Sequence, residues 1–247
     1  MTASAINEPL PPLALLAGGL ATRLRAITAA IPKSMVYVAG EPFIRHQLRL
    51  LVREGVRDIV ICNGHLGEQI ESYVGDGAWL DCRVRYSSDG SERLGTGGAL
   101  KRALPLLGQY FFVMYGDSYL DTSFRRVYEA FRSCGKPALM TVLRNEGRWD
   151  SSNVEFSNGS ICKYDKVKRT ASMQYVDYGL GLFDANVIAS WPEGAGSDLA
   201  DIYRDLAERG LLGGYEIKER FYEIGSPAGL AETDRLLRGR AVGQGRE

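Results

Sequence analysis

Leu13-Ala14-Leu15-Leu16-Ala17-Gly18-Gly19-Leu20-Ala21-Thr22-Arg23-Leu24 decides how this 247-residue chain is read. Four apolar residues stopped by a glycine pair read as a short buried strand feeding a tight turn. A glycine turn at a strand's carboxyl end lets backbone N–H groups come close to an anion such as a triphosphate. Arg23 can fork onto phosphate oxygens, and Pro32-Lys33 brings a second cation from the loop that follows. The string is not a P-loop, because no Gly-Lys-[Ser/Thr] stands at the needed offset, nor is it the G-x-G-x-x-G of dinucleotide sites. A dinucleotide-dependent oxidoreductase would also need an acid at the end of the second strand, where Cys62-Asn63-Gly64 stands instead.

Beyond this stretch, apolar runs alternate with helical patterns. Pro42 to Glu54 places Phe43, Ile44, Leu48 and Leu51 on one face of a helix with proline near its start. Ile59 to Cys62 reads as a second buried strand, Gly67 to Val74 as a helix and Cys82 to Tyr86 as a third strand. Thr96 to Leu107 reads as a helix; Tyr110 to Met114 is the most apolar strand and ends in Tyr115-Gly116-Asp117. A helix near Phe124 to Ser133 and a strand at Ala138 to Leu143 follow. This alternation predicts an α/β fold with a doubly wound, mostly parallel (Rossmann-like) central sheet and helices on both faces.

The second half changes character. Val154-Glu155-Phe156 and Ile161 to Tyr164 flank Asn158-Gly159, which predicts a hairpin and hence a small antiparallel β appendage. Asp177 to Phe183 is a further strand, and Ser197-Asp198 caps a helix running to Arg209 and stopped by Gly210. Phe221 to Ile224 is a last strand, followed by Gly225-Ser226-Pro227 and a final helix to about Leu237. No repeat or linker intervenes, which predicts one domain over residues 11–238, with a polar lead-in (1–10) and a frayed tail (239–247).

A carboxylate at a parallel strand's carboxyl end, as in Gly116-Asp117, is placed to hold Mg²⁺. A lone Gly-Asp is more often a turn, and Asp121 is read as a turn or helix-start residue. The glycine string with Pro32-Lys33 is similar to the L-A-G-G-x-G-T-R-L…P-K signature of sugar-phosphate nucleotidyltransferases, and the resemblance runs from about Leu13 to Leu237. It implies transfer of NMP from an NTP to a sugar 1-phosphate with release of pyrophosphate. It further implies that Arg23, Lys33 and Asp117 are catalytic, and that Leu16, Ala17, Gly18, Gly19, Ala21 and Thr22 hold the nucleotide. Leu94-Gly95-Thr96-Gly97-Gly98-Ala99 resembles the family's L-G-T-[AG]-G-A loop, which adds Gly95, Thr96 and Gly97 to the nucleotide site.

Tyr222-Glu223-Ile224-Gly225-Ser226-Pro227 is similar to W-x-D-x-G-[ST]-P, so the resemblance implies Mg²⁺ held by Asp117 and Glu223, residues so distant in sequence that only the fold could join them. Asp165-Lys166 stands for an E-K pair at the sugar phosphate, and Tyr178 and Gly179 for part of an N-A-G segment at the sugar. Departures are Ala21 for glycine, Glu223 for Asp, Asp177-Tyr178 for Asn-Ala, and Arg148-Trp149-Asp150 with Ser152-Asn153 for Y-G-x-V. Leu94 to Leu100, Tyr115 to Leu120 and Tyr222 to Glu232 look most like heptose 1-phosphate guanylyltransferases, which points to GTP and a product of the GDP-heptose kind for cell-surface polysaccharide. UTP- or CTP-dependent transfer to another sugar phosphate or to phosphocholine is the alternative, as is a non-catalytic homologue that only senses nucleotide-sugar.

Composition bounds the rest. Lys plus Arg and Asp plus Glu both number 30, so the net charge is zero and a basic nucleic-acid surface is not expected. No apolar stretch has the length of a bilayer span, and the start does not read as a signal peptide, so no membrane role and a cytoplasmic setting are expected. The four cysteines form no C-x-x-C pair and there are only two histidines, too few for a zinc site. Whether the chain forms a homo-oligomer stays open.

Overall fold

In a computed structural model the described residues are 8–19, 24, 28–90, 94–192 and 197–244, the last four as backbone only. The first apolar run is strand β1 (Leu13–Leu16), buried along its whole length. Leu13 and Leu15 enter one core cluster and Ala14 and Leu16 another, because successive side chains leave a strand on opposite faces. Strands β2 (Tyr37–Val38) and β3 (Glu41–Pro42) make a small hairpin ahead of helix α1 (Phe43–Arg53). Then come β4 (Asp58–Asn63), α2 (Gly67–Val74), β5 (Arg83–Ser88), α3 (Gly95–Ala103), β6 (Tyr110–Tyr115), β7 (Ser118–Tyr119) and α4 (Phe124–Cys134). The helix read over Thr96 to Leu107 breaks at Ala103 into a 3₁₀ turn, Leu104–Leu106, where Pro105 has no N–H to continue the ladder.

The second half adds β8 (Ala138–Arg144), β9 (Val154–Ser157), β10 (Ser160–Tyr164), β11 (Tyr175–Asp184), α5 (Ala185–Ser190), α6 (Leu199–Glu208), β12 (Leu212–Ile217), β13 (Tyr222–Glu223) and α7 (Pro227–Gln244). Nine strands form one sheet in the order β5-β4-β1-β6-β11-β8-β12-β10-β9. The first four are parallel, which puts their carboxyl ends on one edge. β11 then runs antiparallel between β6 and β8, so the far half of the Rossmann-like sheet is mixed. The β9–β10 hairpin turns at Asn158 (φ 49°) and Gly159 (φ 74°), both left-handed as a two-residue turn of this twist requires, and it extends the edge of the same sheet.

Helices cover both faces. Phe112, Phe124, Tyr128 and Phe131 belong to one core and Leu100, Phe111, Phe183 and Tyr203 to the other. A third, smaller core joins Val36, Val38, Phe43 and Leu50 to Ile224 and Leu237, which ties α7 back against the first hairpin. That helix runs on to Gln244, seven residues beyond the expected end and into the segment read as a frayed tail. Its Asp234 accepts from the backbone N–H of Ala39 at 2.7 Å and pairs with Arg238. Among the described residues no helix is long and apolar enough to cross a membrane.

Candidate active site

The carboxyl ends of the four parallel strands open into a cleft of about 660 Å³ lined by Leu16, Ala17, Gly18 and Gly19 from the β1 turn and by Lys33, Ser34, Tyr115, Gly116 and Asp117. Its other wall comprises Gly64, His65, Asp89, Gly90, Gly95, Thr96 and Ala99. The turns after β1 and β6 meet at Gly116, whose N–H donates to Leu16 O at 2.9 Å. A Cβ there would stand 2.8 Å from Leu16 O and 2.9 Å from Ala17 Cα, both backbone, so only glycine lets the two loops meet.

Lys33 reaches the cleft from a 3₁₀ turn, Lys33–Met35, and its Nζ lies 2.5 Å from Asp117 Oδ2. The two residues lie 84 positions apart in the sequence and meet as an ion pair. Glu223 also arrives beside Asp117: β13 pairs with β7, Glu223 opposite Ser118, and the Ile224 N–H donates to Asp117 O at 2.9 Å. Its carboxylate, however, accepts from the Gly225 N–H and from Ser226 Oγ, at 2.6 Å for the latter, at the start of α7. Among the described residues no three His, Cys, Asp or Glu side chains gather as a metal cage. Ala21, Thr22 and Arg23 lie outside the described residues, so the expectations placed on them are not located.

Gly95, Thr96 and Gly97 open α3 at the cleft wall. The Thr96 hydroxyl is spent inside the protein: it donates to Asp198 Oδ1 at 2.9 Å and accepts from the Leu199 N–H at 2.7 Å, while the Gly97 N–H donates to Ser197 O. Asp198 also caps α6 through the Ala200 N–H. One residue thus binds the glycine loop to the start of the next helix layer.

On the acceptor side the expected residues divide. Asp165 folds back onto the N–H groups of Val167 and Lys168, both at 2.8 Å, which holds its carboxyl below the usual carboxylate range. Lys166 carries its Nζ to 5.6 Å from the centre of the Tyr115 ring. Tyr178 leaves β11 on the face opposite Tyr115; it is 1% exposed and meets Phe221 edge-on in the first core, which makes it a packing residue. Gly179 keeps φ at +96° under Tyr115 and Ser118.

Several residues in or near the cleft were given no site role by the sequence reading. Asp177, on the Tyr115 face, accepts from the Gly179 N–H at 3.0 Å and the Tyr164 hydroxyl at 3.3 Å. Burial raises its pKa, and the nearby Lys166 cation opposes that rise. Asp89 turns its carboxylate toward the Gly18 and Gly64 backbone; burial raises its pKa too, with Arg102 opposing. Tyr115 OH and Ser34 Oγ, from two residues that line the cleft, are buried with no hydrogen-bond partner among the described residues. Cys62 also lines the cleft, but burial pushes its thiol up to about 12, so no thiolate nucleophile is available there. In the sequence Asp89 stands just past the third strand and beside Gly90, and Asp177 lies in the Asp177-Tyr178-Gly179 segment.

A glycine turn, a cation and a carboxylate on the carboxyl edge of a parallel sheet define a class, enzymes that handle nucleotide phosphates. Residues 14–153 match the nucleotidyl transferase family. Over 226 residues the chain is 38% identical to an N-acetylmuramate alpha-1-phosphate uridylyltransferase of Neisseria meningitidis, covering 90% of this chain and 96% of that one. It is 30% identical to a UTP–glucose-1-phosphate uridylyltransferase of Synechocystis over 80% of its own length, and spans 55% of that longer protein. The solved structure of HddC from Yersinia pseudotuberculosis complexed with GMP-PN superposes with a TM-score of 0.77 at 21% identity over 92% of this chain and 100% of that one, a likeness of fold. The chain belongs to the nucleotidyl transferase family and is an enzyme of that class.

Proposed function

We propose that the cleft transfers NMP from an NTP, GTP first among them, to the phosphate of a sugar 1-phosphate. The observation that carries this reading is the meeting of the β1 glycine turn, Lys33 and Asp117 in one cleft of about 660 Å³. The triphosphate lies along the glycine turn with its charge toward Lys33. An oxygen of the acceptor phosphate attacks the α-phosphorus, forming one P–O bond as the bond to pyrophosphate breaks. That oxygen is already anionic at neutral pH, so no general base is needed. The task for the side chains is to hold both phosphates in line and to neutralise charge. Lys33 and Asp117 neutralise each other as a pair, and an entering triphosphate takes over the lysine.

Mg²⁺ fits the donor set in the form in which it usually binds, with one or two carboxylates plus substrate phosphates and not in a protein cage. Asp117 would hold it, joined by Glu223 if that carboxylate turns from the Gly225 and Ser226 groups it now caps. When bound, the ion supplies positive charge to the phosphoryl oxygens.

Asp89 supports guanine. A carboxylate accepts only: it can take both N1–H and N2–H of guanine, whereas uracil offers one N–H between two carbonyls that would be repelled. UTP is the second reading, favoured by the names of the two relatives. On the acceptor side, Asp177 and Tyr115 support an uncharged, hydroxyl-rich sugar, with a heptose 1-phosphate as the first candidate. Pyrophosphate release measured for GTP, UTP, CTP and dTTP against heptose, mannose, glucose and N-acetylmuramate 1-phosphates tests the reading. Fastest turnover with GTP and a neutral sugar supports it; no release from any pair would overturn the transferase, and UTP with N-acetylmuramate 1-phosphate would overturn the choice of substrates.

A further inference from the structure

The loop that carries Asp117 is held from below by a residue that no motif marks. Gln47 sits on α1 and is fully buried (0% exposed), at a position of the helix where its neighbours Ile44, Leu48 and Leu51 are core side chains. Its amide nitrogen donates to Tyr115 O at 3.1 Å and to Ser118 O at 2.7 Å. Those two carbonyls flank Gly116-Asp117, so one side chain spans the turn and uses both of its N–H bonds to do so. Backbone ties add to these: Gly116 N–H to Leu16 O, and Asp117 O from the Ile224 N–H. Among the described residues, Lys33 from a neighbouring loop reaches the Asp117 carboxylate, whereas Gln47 holds the carbonyls of the turn itself.

We infer that Gln47 is a positioning residue for Asp117: by clamping the Tyr115 and Ser118 carbonyls it fixes where the Asp117 carboxylate stands in the cleft. This rests on the role proposed for Asp117. An apolar side chain of equal length would leave two buried carbonyls without partners, and the turn would move to find water or another donor. A displacement on the order of 1 Å at a phosphate-positioning group is enough to cost roughly 10- to 100-fold in turnover.

The test uses the full chain with its best NTP and sugar phosphate. Gln47→Met keeps length and volume without the donors. Thr141→Val is the control, because Thr141 Oγ1 is equally buried and donates to a backbone carbonyl, Leu180 O at 2.6 Å, elsewhere in the sheet. The inference expects Q47M to lower kcat about tenfold or more and to raise the Mg²⁺ concentration for half-maximal rate several-fold, with the sugar phosphate KM within about twofold. T141V should lower thermal stability and leave both kinetic quantities near wild type. In a D117A background, Mg²⁺-dependent nucleotide binding should be no weaker with Q47M than without it, since Gln47 acts through Asp117. If Q47M does not fold, Gln47→Asn, which keeps the amide but falls one methylene short of the carbonyls, takes its place with the same expectation.

Wild-type kcat and Mg²⁺ dependence in the folded variant, or a full further loss of binding in the D117A background, overturns the inference. A wild-type enzyme that releases no pyrophosphate at all tells against the functional reading instead.

Discussion

Removing the Lys33 ammonium separates its work in the fold from its work in the cleft. Among the described residues it pairs with Asp117 at 2.5 Å, between side chains that retain 16% and 28% of their exposure. A pair this open to solvent contributes about 1 kcal/mol to stability. For a chain of this size that is a fall in Tm of about 2–4 °C. Opposite a triphosphate the same group faces charge that builds during the reaction, and deleting one such pre-organised group costs about 3–4 kcal/mol, or 10²- to 10³-fold. Lys33→Ala should therefore lower kcat/KM by roughly 10²- to 10³-fold, some 3 kcal/mol more than its small effect on folding could explain. The rates are read as pyrophosphate release and the stability by thermal melting followed by circular dichroism. A kcat/KM within tenfold of wild type, with the protein folded, refutes the assignment of Lys33 to the reacting phosphates.

Other substitutions test the supporting structure. Asp198→Ala removes the cap of α6 and the acceptor of the Thr96 hydroxyl; it should cost about 1–2 kcal/mol in a urea melt and raise the NTP KM several-fold with less change in kcat. Burial raises the pKa of Asp177, so its ionised form is a cost to the fold at neutral pH that vanishes as the pH falls and the group protonates. Asp177→Asn should accordingly raise Tm at pH 7.5 relative to wild type, the gap closing toward acid pH, and should raise the KM of the sugar phosphate but not of the NTP. Gly214→Ala puts a methyl group 2.5 Å from Phe156 Cε2 and 2.8 Å from Ile161 Cδ1 in the sheet; it should destabilise by about 1–3 kcal/mol with the NTP KM unchanged.

The parallel half of the fold was legible because hydrophobic burial writes itself in runs. Leu13 to Leu16, Ile59 to Cys62 and Tyr110 to Met114 lie at the heart of three adjacent strands, and their closing glycines mark the edge where the cleft opens. Strand β12 was not read, because Gly213 and Gly214 dilute its apolar pattern. The structure gives their reason: Cys134 lies against one and Phe156 with Ile161 against the other, leaving no room for side chains. The insertion of β11 between β6 and β8 has no local signal at all, since strand order is settled by packing across the whole sheet.

In the site, motif resemblance marked Lys33 and Asp117 and the fold joins them, whereas a motif carries no information about where a carboxylate turns. Glu223 lies on β13 beside the Asp117 loop and turns its carboxylate to the Gly225 N–H and Ser226 Oγ; Tyr178 lies on β11 and faces the core. Gln47 did leave a trace, a polar residue on the apolar face of an amphipathic helix, which is costly unless a partner waits in the core.

The pairing of β13 with β7 sets an order of events at birth. A ribosome releases the glycine turn, Lys33 and the Asp117 loop long before Tyr222 and Glu223 emerge, and the nine-stranded sheet needs neither of the last two. A nascent or clipped chain ending short of Tyr222 could thus build its scaffold and still lack the clasp across Asp117. The clasp across the Asp117 loop is closed by a strand made long after the loop itself.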